Sequence, residues 1–548
     1  MTADSTQTSD VIARDDAHLR SLGIMPQLSR RLGFFANFAL AFSFISVSTG
    51  SFGNFGYGFG MGGPMMFWTW FVVVIGQTLV ALVFAELASH FPVAGSIYQW
   101  SKRLSNRTLG WFTGWMYFWA QVFTVSAVAV IVAFAVDGLL GSPKVGDLAF
   151  LDSPDPTGLT TMFTFVSIGA LVLTTLINAF GVRLLSLLNN IGVATEILGM
   201  LVFAVVLLFL ANNQPVNVLF QTFGAEQAQN GNLFATFLVG FFMSVFIVYG
   251  FDTAGTFGEE TVDASRQAPR GVLSSIWISG AVGVVFLLAI ILSIKDIPAR
   301  MAGGLAGTEF PIASTILENL NTEFVSGITF GEIYLVVIAV SVFVCTLAIQ
   351  GAATRMMFSM SRDKHLPGGR IWGHVNPRFK TPANSAVGVG VLAAIPILLV
   401  GPLGGYNLSL AATGLIYLSY FLCNFGVALA RRKGWPRTKA WFNLGRWGML
   451  VNIAALLYGG AMIVNIGLWN DPNLFGDFGT ETRALWNPWI NSTFKFFGQP
   501  LEFLPKWPLF DTIVGAILIL GLVYYVAAIR GTKHDVEADI ATGEAVIG

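Results

Sequence analysis

Charge is scarce in this chain. Asp, Glu, Lys and Arg make up 11% of 548 residues, against about 25% in an ordinary soluble domain. Positive and negative charges balance to a formal net charge of zero, which gives no electrostatic reason to expect a nucleic-acid partner. Cysteine is almost absent. Cys345 and Cys423 are the only two, and both fall in apolar runs, so neither a disulfide framework nor a zinc framework is present and both read as packing thiols. The five histidines, His18, His90, His365, His374 and His534, show no metal-ligand spacing and no nucleophile–base arrangement. The glycine run Gly58 to Gly63, GFGMGG, is not followed by Lys-Ser/Thr, which argues against a phosphate loop and against ATP-driven pumping. The apolar runs hold no paired acids, no nucleophile–base set and no metal ligands, so the chain does not read as an enzyme and no cofactor is implied. The ten-residue alternation of an outer-membrane barrel is missing, and so is a cleavable signal peptide at the polar, mixed-charge N-terminus.

Hydrophobic residues are what the chain has instead. They make up 54% of it, with 48 Phe and 15 Trp, and mean hydropathy is +0.69. Repeated apolar runs of about 20 residues identify a multi-pass α-helical membrane protein. Twelve spans are expected, at roughly 33–59, 65–89, 110–139, 160–180, 184–211, 233–258, 271–294, 327–358, 383–402, 406–430, 447–469 and 508–529. An even number puts both termini on one side. Placing them in the cytoplasm assigns 24 Lys and Arg to inside segments and six to outside ones, the bias that positive-inside topology requires. The expected localisation is the cytoplasmic membrane. The first 32 and the last 18 residues read as flexible cytoplasmic tails. The outside segments 295–326 and 470–507 do not read as folded domains, and Trp486, Trp489 and Trp507 in the second suit interfacial anchors.

Two stretches interrupt their spans. In span 6 it is Phe246 to Glu260, FIVYGFDTAGTFGEE, and in span 1 it is Ser46 to Gly63, SVSTGSFGNFGYGFGMGG. A helix in lipid tolerates such interruption only where the backbone meets protein or water. Spans 1 and 6 are five apart and therefore antiparallel, the placement of discontinuous helices in an inverted repeat. Spans 1–5 and 6–10 form the two repeats (residues 33–430), and spans 11 and 12 with their outer loop (431–529) are extras. A broken helix bares N–H groups at the start of one half and C=O groups at the end of the other. The first favour anions and the second cations. The unwound residues of span 1 are expected to be Ser46, Val47, Ser48, Thr49, Gly50 and Ser51, whose amides and hydroxyls suit a carboxylate. Those of span 6 are Val248, Tyr249, Gly250, Phe251 and Asp252, whose carbonyls, with the rings of Phe246 and Tyr249, suit an ammonium. The alternative for either stretch is close helix packing through small residues.

Several further stretches carry a resemblance. GGP (Gly62 to Pro64) precedes Trp68 and Trp70. AELAS (Ala85 to Ser89) runs into FPVAGSIYQW (Phe91 to Trp100). GFDTAGTFGEET (Gly250 to Thr261) is followed by SRQAPRGV (Ser265 to Val272), TRMMFSMSRDKHLP (Thr354 to Pro367) and FNLGRWGMLVN (Phe442 to Asn452). In this order and spacing they resemble the amino acid–polyamine–organocation superfamily, in the branch of γ-aminobutyrate, choline and general amino acid permeases. The resemblance implies an all-α fold of the leucine-transporter type and alternating access. It sets Thr49 and Gly50 at a substrate carboxylate, Phe246 at an aromatic gate and Tyr249 at a substrate-facing carbonyl. In span 3 it sets Ala120 and Gln121 on the pocket wall, although Gln121 as a lone amide suits a bond to a neighbouring helix equally well.

The buried acids leave alternatives open. Asp252 either binds the amine or caps freed amides of the unwound segment. Glu86, late in span 2, either anchors helices or belongs to an inner gate. Glu196, inside span 5, stands where many proton-coupled relatives carry Lys. It is a candidate proton carrier, or else a neutral hydrogen-bonded acid with no transport role. Glu259 and Glu260 end span 6, with Arg266 and Arg270 after them and Arg355 and Arg362 at the end of span 8. Interlocking ion pairs among these would form an inner gate; a solvated charged rim is the alternative. The expected function is a secondary active carrier of a small amino acid or amine, proton-coupled, acting as monomer or homodimer in the bilayer. An uncoupled exchanger and a channel are the rivals.

Overall fold

The computed structural model describes residues 2–139, 162–229, 231–305, 310–325, 328–468 and 509–531, together with residues 495, 496, 499, 500 and 503. Among these, ten helices are long and apolar enough to cross a bilayer, and eleven if the bent pair Val216–Gln229 and Leu233–Ile247 is one span. Each of the twelve expected spans is nonetheless helical. The sixth fails a length test because it is broken, and the ninth because it is short.

The chain opens with α1 (Thr2–Ser21), a polar helix, followed by an extended segment to α2 (Phe34–Ile45) and α3 (Val47–Gly62), the halves of span 1. Span 2 is α4 (Phe67–His90). A short helix, α5 (Ser96–Leu104), turns the chain into α6 (Arg107–Leu139), span 3. Spans 4 and 5 are α7 (Met162–Phe180) and α8 (Val182–Leu210). Span 6 is α9 (Leu233–Val239), α10 (Phe241–Ile247) and the single turn α11 (Thr253–Thr256), and span 7 is α12 (Ala264–Ser293). Two short helices, α13 (Ile297–Leu305) and α14 (Pro311–Asn319), and a hairpin of β1 (Glu323–Val325) with β2 (Ile328–Thr329) lead to α15 (Phe330–Arg362), span 8. After α16 (Gly369–Trp372) come α17 (Ala383–Val400), α18 (Pro402–Arg432), α19 (Gly448–Leu468) and α20 (Leu509–Tyr524), spans 9 to 12.

Residues Thr2–Ser21 lie in the stretch expected to be a flexible tail, but they form α1 and tie to distant loops. Arg14 pairs with Asp263 at 2.6 Å, and the Asp15 carboxylate accepts from the Asp263 amide at 2.7 Å. Beyond α1, the Arg30 guanidinium donates to the carbonyls of Gly258 and Thr261, and Leu32 bridges Thr261 in parallel. These partners lie more than 200 residues away in sequence, which is why composition alone reads the segment as tail. The segments that the positive-charge count assigned to one side do meet at the α1 end. Arg103 reaches the Leu22 carbonyl, Arg431 pairs with Glu86, and Tyr98 donates to Asp363. At the opposite end, α13 and α14 pack on α3, which gives the segment between spans 7 and 8 more structure than expected. Phe52 stacks on Phe310 at 4.9 Å, and Gly56 lies directly against Gly304. Trp486, Trp489, Trp507 and the last residues of the chain fall outside the described residues.

Candidate functional site

Span 1 breaks at one residue. Ser46 has φ 34° and ψ 85°, the left-handed region, and both neighbours are helical. Val47 to Ser51, expected to be unwound, belong to the first turns of α3. The physical reason is local capping. The Ser46 hydroxyl accepts from the Thr49 amide at 3.4 Å, and its carbonyl accepts from the Gly50 amide at 3.0 Å, so the helix restarts at once. Span 6 is interrupted more widely, over Val248 to Asp252, between the end of α10 and the start of α11. Gly250 has φ +90°, a conformation that glycine adopts without penalty.

The two breaks face each other. A Cβ on Gly50 would sit 2.3 Å from Ile247, and one on Gly250 would sit 1.9 Å from the ring of Phe44. Tyr249 packs edge-on against both Phe44 and Phe246. Close packing through small residues and a convergent site are therefore both realised at the same place.

Of the two roles expected of Asp252, the capping one is not realised: it makes no cap to the freed amides. Its carboxylate accepts from Tyr117 Oη at 2.7 and 2.9 Å, from Tyr420 Oη at 2.6 Å and from Ser96 Oγ at 2.9 Å. Tyr420 Oη in turn accepts from the Gly250 amide at 2.9 Å, so one hydroxyl joins the break, the acid and α18. Sequence reasoning missed Tyr117, Tyr420 and Ser96. Tyr117 had a signal: it lies one turn before Gln121 on α6, on the same face. Tyr420 had none.

Glu196 reaches from α8 to the restart of α3. Its Oε1 accepts from Ser46 Oγ at 2.9 Å, Ser48 Oγ at 2.7 Å and the Ser48 amide at 3.2 Å. Glu196 is thus a carboxylate at a helix N-terminus, where the exposed amides favour an anion. Among the described residues around the breaks, the buried Ser51 Oγ and Thr253 Oγ1 have no hydrogen-bond partner, and the Gln121 amide, which faces Tyr117, and Tyr249 Oη form no well-aligned bond. Tyr249 Oη faces Thr124 and Thr413 without forming a well-aligned bond to either. Buried polar groups are rarely left unpaired in a native core.

Ion pairs close the α1 end. Arg355 grips Glu260 with two bonds, at 2.7 and 3.1 Å, and both side chains are fully buried. Its guanidinium also lies 4.3 Å from the centre of the Phe257 ring. Arg362, two turns further along α15, holds Glu259 at 3.0 and 3.1 Å, and Glu259 also accepts from the Ala94 amide. The buried pairs replace the solvated rim considered as the alternative. Arg266 is not part of them; it lies over Trp441 with Arg270. Glu86 pairs with Arg431 and accepts from the Leu444 amide, a bond between span 2 and the loop before span 11.

Broken helices of this kind mark a fold of the leucine-transporter type, and comparison with known proteins agrees. The chain matches the amino acid permease family over residues 32–492 and belongs to it. An amino-acid permease BAT1 homolog from Oryza sativa subsp. japonica is 32% identical over 458 residues, covering 81% of this chain and 85% of that protein. BAT1 of Arabidopsis thaliana is 29% identical, covering 82% and 87%. A putative polyamine transporter from Candida albicans is 23% identical, covering 83% and 81%. The crystal structure of MhsT in complex with L-phenylalanine shares the fold with a TM-score of 0.55 at 13% identity, covering 79% of this chain and 97% of that one. The protein is a multi-pass membrane transporter of amino acids or amines.

Proposed function

We propose that the chain is a secondary active carrier that moves one small amino acid or amine per cycle by alternating access, coupled to protons. Support comes from the paired breaks, which converge on unpartnered hydroxyls of Ser51 and Thr253 and on the poorly aligned polar groups of Gln121 and Tyr249, at full or near-full burial. A solute seated there would satisfy polar groups that the protein leaves unpaired. The Val248, Tyr249 and Gly250 backbone with Phe246 would hold the ammonium, and Ser46, Ser48, Thr49 and Gly50 would form the other wall. Glu259–Arg362 and Glu260–Arg355 would act as the inner gate, because opening the α1 end must separate α15 from the end of span 6. Glu86–Arg431 would hold span 2 against the loop before span 11 through the cycle. The orientation that fits the positive charge at the α1 end puts both termini in the cytoplasm, in a bacterial-type inner membrane or its equivalent.

Glu196 is the coupling group in this reading. It is a carboxyl group that contacts the restart of α3 and so senses whether the span 1 break is intact. The test is solute-driven proton uptake in proteoliposomes. Glu196→Gln should retain solute counterflow while losing solute-dependent acidification. Proton movement equal to wild type in that variant would remove Glu196 from coupling, and a wild type that moves solute without protons would mean uncoupled exchange.

A further inference from the structure

We infer that the groove between α6, α16 and α17 at the α1 end binds one anionic phospholipid of the adjacent leaflet, with an acyl chain in the groove and the headgroup on the basic segment that follows α15. The site lies apart from the breaks in spans 1 and 6, and it depends only on the chain's being a membrane protein.

The groove has a volume of about 320 Å³ and is lined by Trp115 and Trp119 of α6, Met357 of α15, Trp372 of α16, and Val387 and Val391 of α17. No charged, hydroxyl or amide side chain lines it. It is the concave part of a longer apolar row. Val387, Val391, Ile395 and Leu399 recur every four residues along α17 and are all exposed, so one face of this helix is turned to lipid. The shape is set in advance. Trp372 Nε1 donates to the Pro367 carbonyl at 3.1 Å, and the Trp372 carbonyl accepts from Ser385 Oγ at 2.6 Å, which ties α16 to the start of α17. Gly388 lets α17 come close, since a Cβ there would stand 2.9 Å from Met357 and 3.0 Å from Trp372. The depth also fits. Val391 is eight residues past Ala383, the first residue of α17, or about 12 Å along the axis. One leaflet contributes about 15 Å of hydrocarbon, so a chain entering from the α1 end stays within one leaflet.

Charge at the mouth selects the headgroup. Leu366, Pro367 and Trp372 line the groove, and Lys364 and Arg370, each two residues before Leu366 and Trp372, are exposed. Arg378 and Lys380 follow and are exposed as well. The segment brings no counter-charge to these four. Asp363 is held by Lys102, and no Asp or Glu occurs between Asp363 and Asp471. Arg362, the other cation of this segment, is taken by Glu259. A basic segment beside an apolar groove fits a phosphodiester joined to an acyl chain. A zwitterionic headgroup would bring its own amine up to the same cations. Met357 stands between Arg355 and Arg362 on α15, so the acyl chain braces the helix that carries both buried ion pairs.

Two probes test this: phosphatidylglycerol and phosphatidylcholine carrying the same photoreactive acyl chain, each given to the full-length chain in phosphatidylcholine vesicles. After irradiation, labelling is mapped by peptide mass spectrometry. The lipid-exposed face of α8, residues 198–209, serves as the reference surface. The ratio of label in residues 357–372 and 387–392 to label on α8 should be higher for phosphatidylglycerol by about fivefold or more, the worth of one basic residue near a headgroup. Lys364→Gln with Arg370→Gln should remove that excess and leave α8 labelling unchanged. Val391→Trp, which fills the groove, should remove it too, with the thermal midpoint held. Equal ratios for the two probes overturn the inference and leave only lipid of the general bilayer shell. An excess that survives the double charge change overturns the headgroup assignment. A groove left unlabelled by both probes while α8 is labelled also overturns the inference, and means that another occupant, such as a second copy of the chain, covers this face.

Discussion

Arg355 and Glu260 show what a single buried pair contributes. Both are fully buried, and the guanidinium is satisfied by the carboxylate, the Phe257 face and the Gly351 carbonyl. Removing one partner leaves an uncompensated charge and costs about 3–5 kcal/mol. Arg355→Ala should therefore lower the thermal midpoint in detergent clearly, whereas Glu260→Leu with Arg355→Met should recover most of it. An Arg355→Ala midpoint equal to wild type would show that the pair carries no stability. Asp363, just past α15, makes a second prediction. Burial alone would push its carboxyl up, but Lys102 and Arg362, together with the Tyr98 hydroxyl and His365, outweigh burial and hold it at about 2. A carboxyl lowered in the folded state stabilises fully above its ordinary value of 3.8 and loses that contribution as pH falls toward 2. Wild type should lose stability over that window and Asp363→Asn should not. Parallel pH profiles of the two melting midpoints would contradict the assignment. Neither arrangement was legible in the sequence. The acids and bases were visible as a group, but which arginine meets which glutamate depends on the two-turn spacing along α15 set against consecutive residues at the end of span 6.

At the level of elements, the broken helices were legible and their extent was not. Glycine and serine runs inside apolar segments marked spans 1 and 6 correctly, because lipid forbids such runs without a reason. In span 6 the break covers the residues expected. In span 1 it shrinks to Ser46, because a hydroxyl and a carbonyl of that same residue cap the next turn, a detail that composition does not carry. α1 was missed for a related cause: its contacts are polar and long-range, and its sequence has no apolar stripe. Asp252 was found, but its partners Tyr117 and Tyr420 lie 135 and 168 residues away. The span 6 break depends on Gly250, whose φ of +90° is costly for any side chain and whose Cβ would strike Phe44. Gly250→Ala should abolish uptake while the protein still reaches the membrane. Gly33→Ala, where a Cβ meets nothing within 4 Å, should transport at the wild-type rate. Normal uptake by Gly250→Ala would mean that the break is not needed.

At the scale of the whole molecule, a thiol lies behind the ion pairs proposed as a gate. Cys345 lies on α15 with its Sγ 3.8 Å from the Phe44 carbonyl, at the span 1 break, and only 3% of the residue is exposed. Arg355 is ten residues further along the same helix, about 15 Å toward the α1 end. Cys423, the other thiol, is fully buried on α18. If the proposed gate holds, this thiol serves as a chemical stopwatch. An impermeant maleimide offered from the α1 end can react with Cys345 only during the intervals when the Glu260–Arg355 latch is undone, so the rate of alkylation counts those intervals directly. Glu260→Gln should shorten the labelling half-time in a Cys423→Ala background. If labelling proceeds equally fast with the latch intact, the ion pairs are ornaments of the rim and the barrier to entry lies elsewhere.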